Sequence, residues 1–140
     1  MNRQLLDESC LPFYDWMDVP VWVFDPARMH IPWANAAGCK FWLANGLTEL
    51  LARDFTDISL GARTRLALTL QAHARGEVLR ESWTLYPRGQ PVTSMLGSRG
   101  LLQRAKVEKL LLVDRDGRLS GLITMKDIDT LAKFPEANLD

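Results

Sequence analysis

The run Val19–Phe24, VPVWVF, restricts the fold of this chain more than any other stretch. Valine and aromatic residues favour extended backbone, Asp25-Pro26 stops the run, and Ile31-Pro-Trp-Ala34 resumes it after Ala27, Arg28, Met29 and His30. Two antiparallel strands joined by a short loop are the expectation. At six residues the run is far below the roughly 20 apolar residues that a membrane-spanning helix needs.

Asn35 follows at once, and its amide suits the free N–H groups at the start of a helix through Ala36, Ala37, Cys39, Phe41 and Leu43, ended by Asn45-Gly46. A short helix is expected at Leu47 to Arg53 with Thr48 near its N-cap, then a connector from Asp54 to Gly61. Arg63 to Arg75 predicts a longer helix, with Leu66, Ala67, Leu70, His73 and Ala74 on its apolar side and Gly76 as C-cap. Glu77 to Tyr86 alternates as a half-buried strand would, and Pro87-Arg-Gly89 turns the chain. Ahead of all this, residues 1–18 read as a lead-in segment with a short helix broken at Pro12.

Residues 94–100 lie in loose, glycine-bearing text and mark a seam. Beyond it Leu101 to Lys106 suits a short helix. Lys109 to Val113 and Leu119 to Thr124 suit two strands about Asp114-Arg-Asp-Gly117, where glycine accepts the positive φ of a tight turn. Met125 to Lys133 reads as a final helix before Pro135.

Composition narrows the function classes. The 140 residues hold 17 basic and 17 acidic side chains, so no long-range field draws a polyanion and nucleic acid is not an expected partner. MNRQLLDESC lacks the apolar core of a signal peptide, so a cytoplasmic protein with no membrane partner is expected. Cys10 and Cys39 show no metal or CxxC spacing and are expected as reduced, half-buried thiols.

The text VPVWVFDPARMHIPWANAAGCKFWL, then LTELLARDFTDIS, then RLALTLQAHARGEVLRESWTLYPRGQPV resembles a PAS domain over residues 19–93. That resemblance implies an α+β module: an antiparallel sheet with flanking short helices, enclosing a pocket that senses through flavin, haem, a small metabolite or no ligand. From Leu101 to Asp140 the text, with VEKLLLVD, GLITMKDI and FPEANLD in order, resembles the end of the second CBS motif of bacterial inosine monophosphate dehydrogenase. The dehydrogenase's catalytic cysteine loop and barrel do not fit in the chain, so this second resemblance implies regulation at most. It carries Gly121, Thr124 and Asp127 onto the family's nucleotide-contacting positions, with Lys109 near phosphate, and a full cleft would need a second copy in a homodimer.

A PAS domain ends its sheet with two further strands, and the CBS-like hairpin from Lys109 to Thr124 is expected to fill that place, followed by the C-terminal helix. A separate incomplete lobe at 101–140, and two halves that did not evolve together, are the other architectures. Forty residues alone bury too little to favour the lobe.

The pocket candidates are Trp22, Trp33, His73 and Trp83. His73 lies on the face of Leu66 and Leu70, where some haem-binding PAS domains place their ligand, although haem is not expected. Flavin photochemistry is not expected either, because Cys39 follows Ala37-Gly38 and lacks the light-sensor motif. Asp25, Asp54 and Asp57 suit turn and cap duty, and no catalytic triad, phosphate loop or metal cluster is legible. The expectation is a non-catalytic sensory or ligand-binding regulatory module of PAS type, with a small-molecule ligand, cofactor unknown or none. An adenine-nucleotide module of CBS type acting through a dimer is the alternative; a ligand-free interaction domain, or an artificial or truncated chimera, is the third.

Overall fold

The computed structural model describes residues 6–103 and 106–114. Five strands form an antiparallel sheet: β2 (Val21–Asp25), β3 (His30–Ala34), β4 (Leu79–Leu85), β5 (Val92–Gln103) and β6 (Lys106–Asp114), in the spatial order β4-β5-β6-β2-β3. The two-residue β1 (Leu6–Asp7) adds in parallel to β5 at Leu101 and Leu102. Between β3 and β4 the chain makes three helices, α1 (Ala36–Phe41), α2 (Leu47–Leu51) and α3 (Leu60–Ala74). This is the expected α+β class.

Strand parity sorts the side chains into two layers. Leu110 and Leu112 of β6, with Trp22 and Phe24 of β2, face the helices and pack with Phe41, Trp42 and Leu50. Leu111, Val113, Val21 and Val23 face the other way, under the 3-10 turn Glu8–Tyr14 and Met17. All five residues of β2 are buried because this strand lies inside the sheet with both faces covered. β3 is an edge strand, the position in which Pro32 removes no needed ladder donor.

Asn35 connects the two layers. It is fully buried, and its side-chain oxygen accepts from Gly38 N at 2.7 Å, as the helix cap expected, and from Val21 N at 3.0 Å. The amide nitrogen donates to the carbonyls of Tyr14 and Val19, both at 2.9 Å. One side chain thus ties α1, β2 and the N-terminal segment together. Gly38 is part of the same joint, since a Cβ there would stand 2.8 Å from the Val21 carbonyl oxygen.

Several elements depart from the sequence reading. α1 ends at Phe41, because Leu43 turns to φ +55°. α2 is capped by Gly46 rather than by Thr48 and stops at Leu51. Ser59 caps α3 through Ala62 N, so that helix starts at Leu60 within the expected connector. On α3 the buried positions are Thr69, Ala72 and His73, while Ala67 and Ala74 are exposed. The helix at Leu101–Lys106 is not formed: 101–103 continue β5 and Lys106 begins β6, since cross-strand pairing to Lys106–Lys109 outweighs local helix preference. The loose text at 94–100 is the middle of β5. Lys109–Val113 does complete the sheet, but its partner in the closing hairpin is β5 rather than the expected Leu119–Thr124, and β2 takes its other edge. Leu119–Thr124 and the helix Met125–Lys133 lie outside the described residues.

Replacing Asn35 by Asp converts two donated hydrogen bonds into contacts between oxygens, and Ala removes the side-chain partner of Val21 N, Gly38 N and the Val19 carbonyl, while the Tyr14 carbonyl keeps Met17 N. Each such group costs about 1–3 kcal/mol, so either variant should lose at least about 3 kcal/mol in urea unfolding. A loss under about 1 kcal/mol would deny Asn35 this role.

Candidate functional site

The four aromatic and histidine candidates do not converge on one cavity. Trp22 is buried in the helix-side layer, stacked on Phe41 with ring centroids 5.1 Å apart and touched edge-on by Trp42 at 5.6 Å. Trp42 meets Phe55 at 5.3 Å and Phe55 meets Phe24 at 5.8 Å, so five rings fill the space between sheet and helices. Trp33 belongs to the opposite layer, because it pairs with Val23 rather than with Trp22. Trp83 is on the helix side, with the Arg65 guanidinium 3.9 Å over its ring. Arg65 also pairs with Glu81 and donates to the Ser82 carbonyl at 2.7 Å, which fixes it as a cover on Trp83.

His73 is buried against β5. Nδ1 lies 2.8 Å from the Glu77 carbonyl oxygen and Nε2 lies 3.0 Å from Ser98 Oγ. A carbonyl only accepts, so Nδ1 carries the proton and Nε2 accepts from the Ser98 hydroxyl. This arrangement leaves neither ring nitrogen open to iron. Burial pushes its pKa down, opposed by the Glu77 carbonyl bond, with nearby Arg99 pushing down as well. Gly100 makes the close approach possible, since a Cβ there would lie 2.5 Å from Val107 Cγ1 and 3.0 Å from His73 Cβ.

A cleft of about 670 Å³ opens beside this junction, between the β2–β3 turn, α3 and the start of β6. Leu66, Ala67 and Leu70 form its α3 wall and Val107 to Lys109 its β6 wall. The turn is built by Asp25, whose Oδ1 accepts from Ala27 N at 3.0 Å and Arg28 N at 3.2 Å, and by Met29 at φ +55°. Phe55 N donates to the Met29 carbonyl at 3.0 Å and holds the turn to the α2–α3 connector. Five charged residues line the cleft: Asp25, Arg28, Arg63, Glu108 and Lys109. Of the ligand-contacting candidates with described positions only Lys109 is in its lining, because the walls come from three distant segments. Gly121, Thr124 and Asp127, the other nucleotide-contacting candidates, lie outside the described residues.

The acidic candidates have the duties expected of turns and caps where a bond is seen. Besides Asp25, Asp54 Oδ1 accepts from Thr56 N at 2.9 Å, which holds its pKa down. Cys39 is half-buried as expected whereas Cys10 is buried, neither is in a disulfide, and burial pushes the Cys39 thiol up against the pull of Arg53. Among the described residues no group of three or more His, Cys, Asp or Glu side chains is placed to hold a metal ion. No described helix is long and apolar enough to cross a membrane.

Solved structures share this architecture. A domain of a sensory box sensor histidine kinase/response regulator from Geobacter sulfurreducens superposes with a TM-score of 0.55 at 25% identity, over 77% of this chain and 91% of that one. The PAS domain of nitrogen regulation protein NR(II) from Vibrio parahaemolyticus gives 0.55 at 15% identity, over 75% and 94%. The Rhodobacter sphaeroides LOV protein gives 0.57 at 14% identity, over 94% and 93%. The fold is that of PAS domains. Inosine-5'-monophosphate dehydrogenase from Streptococcus pyogenes is 48% identical over 48 residues, 34% of this chain and 10% of that protein. The Helicobacter pylori enzyme is 52% identical over 40 residues, 29% and 8%. The chain thus spans about a tenth of the length of the curated relatives it matches, and the matched length fits a CBS-like segment. No family model matches the chain.

His73 supplies a pH test. Its folded pKa lies below the ordinary 6.5, so below that value the unfolded chain binds the proton more readily. Its contribution to stability is therefore complete above about pH 6.5 and lost as pH falls toward the folded value. Urea midpoints measured from pH 7.5 downward should show a slope that His73→Gln reduces; identical slopes would place the acid sensitivity elsewhere.

Proposed function

We propose that this chain is a non-catalytic sensory or regulatory module of PAS type that responds to a small ligand. The observation that carries this reading is the sheet order β4-β5-β6-β2-β3 with three helices inserted between β3 and β4 on one face. The Geobacter domain of a sensory box protein has the same fold over 91% of its length. Filling of the helix-side interior by Trp22, Phe24, Phe41, Trp42 and Phe55 favours a module without a resident chromophore and directs ligand to the open cleft beside α3.

A second reading is favoured by one specific observation: Lys109 lines the cleft, and the chain carries the dehydrogenase likeness over 48 residues. In it the module responds to an adenine nucleotide through Lys109, Gly121, Thr124 and Asp127, with a second copy completing the site.

Thermal unfolding with small metabolites separates the readings. The sensory reading expects at least one compound to raise the midpoint by about 3 °C or more, in line with about 1 kcal/mol of binding linkage, and to be recovered unchanged. It also expects absorbance confined to the aromatic band of the purified protein. Conversion of the compound, or a screen without any shift, would contradict it. Stabilisation by AMP or ATP that Thr124→Ala and Asp127→Ala abolish would move the assignment to the second reading.

A further inference from the structure

The geometry points to the cleft between α3 and the β2–β3 turn as a binding site for an organic anion, a carboxylate or phosphate on an apolar body. This rests on the ligand-sensing reading above and names the class of ligand. The α3 wall is apolar, with Leu66 and Leu70 one turn apart, and Met29 closes the opposite side. The charged lining sets Arg28, Arg63 and Lys109 against Asp25 and Glu108, with Asp25 and Lys109 buried and Arg28 and Arg63 exposed. Asp25 Oδ1 is committed to its turn through the amides of Ala27 and Arg28. Arg63 anchors one side of its guanidinium on the Thr56 carbonyl, which holds the fork in place and leaves other N–H groups for a ligand. Arg28 is exposed and is presented from a turn fixed by Asp25, by Met29 and by the Phe55–Met29 bond.

These features define the ligand. An apolar wall gains from a hydrocarbon or aromatic body, while planar guanidinium groups favour an oxyanion that accepts two parallel hydrogen bonds. A neutral ligand would use the wall but not the rim. A cation would meet three basic side chains against two carboxylates.

The intact chain titrated with anilinonaphthalene sulfonate, an aromatic body with one anionic head, and with uncharged phenylnaphthylamine tests the assignment. One saturable sulfonate site is expected, and Arg28→Glu and Arg63→Gln should each weaken it by about tenfold while changing neutral-probe binding by no more than about twofold. Arg80→Ala, at an exposed position of β4, should change neither. Because Arg28 sits on an exposed turn, its variant keeps the test valid if Arg63→Gln loosens α3. AMP and decanoate used as competitors identify the head group: displacement by AMP assigns phosphate, by decanoate carboxylate, and by both either one. Failure of both to displace, absence of a saturable site, or equal loss of the two probes in the arginine variants overturns the proposal. A metabolite that stabilises the protein without displacing the sulfonate overturns the cleft assignment and leaves the sensory reading standing. AMP binding that survives Thr124→Ala and Asp127→Ala but fails in Arg28→Glu belongs to the cleft.

Discussion

β6 is hydrogen-bonded along both edges, and the rest of the sheet depends on that. Its residues Leu110 to Val113 pair with Phe24 to Val21 on one side and with Gly100 to Gly97 on the other. Without it the β2–β3 hairpin and the β4–β5 hairpin would be separate ladders with open edges, an arrangement that invites pairing with other chains. Four of its five apolar side chains also alternate between the layers, Leu110 and Leu112 toward the helices and Leu111 and Val113 toward the N-terminal segment. The same nine residues therefore close the sheet and seed both cores.

Asn35 and two glycines set how closely the other elements approach this sheet. The Asn35 amide makes N-terminal segment, β2 and α1 a single unit, a satisfied buried network that specifies one arrangement. Gly38 lets α1 touch the backbone of β2, and Gly100 lets His73 and Val107 close over β5. At the far end of the helix layer, Arg53 and Arg88 donate to carbonyls just past the end of α1. Arg53 bonds Trp42 O at 2.7 Å and Arg88 bonds Leu43 O at 2.6 Å, with Glu49 held between them and its carboxyl lowered to about 2 by those arginines and the Asn45 amide. The β4–β5 turn is thereby fastened to the α1–α2 loop.

Local chemistry made part of this legible. The stop at Asp25-Pro26, the Asn35 cap and the alternation of β4 each rest on neighbouring residues, and each is present in the fold. Residues 94–103 were illegible because their strand character is tertiary: glycines at 97 and 100 weaken local preference, yet β4, β6 and β1 all bond to this segment. Trp33 was grouped with Trp22 by residue type, whereas the register Val23↔Trp33 places it in the other layer. The cleft draws its walls from residues 25–29, 63–70 and 107–109, a convergence that no local pattern encodes.

Amide hydrogen exchange across β6 tests the account most directly. A strand bonded on both edges protects consecutive amides, whereas an edge strand protects alternate ones. Leu110, Leu111, Leu112 and Val113 should all exchange among the slowest amides of the chain, with none of the alternation expected for edge strand β4. Alternating protection, or exchange as fast as in the exposed connector before α3, would show that this segment is not the central strand.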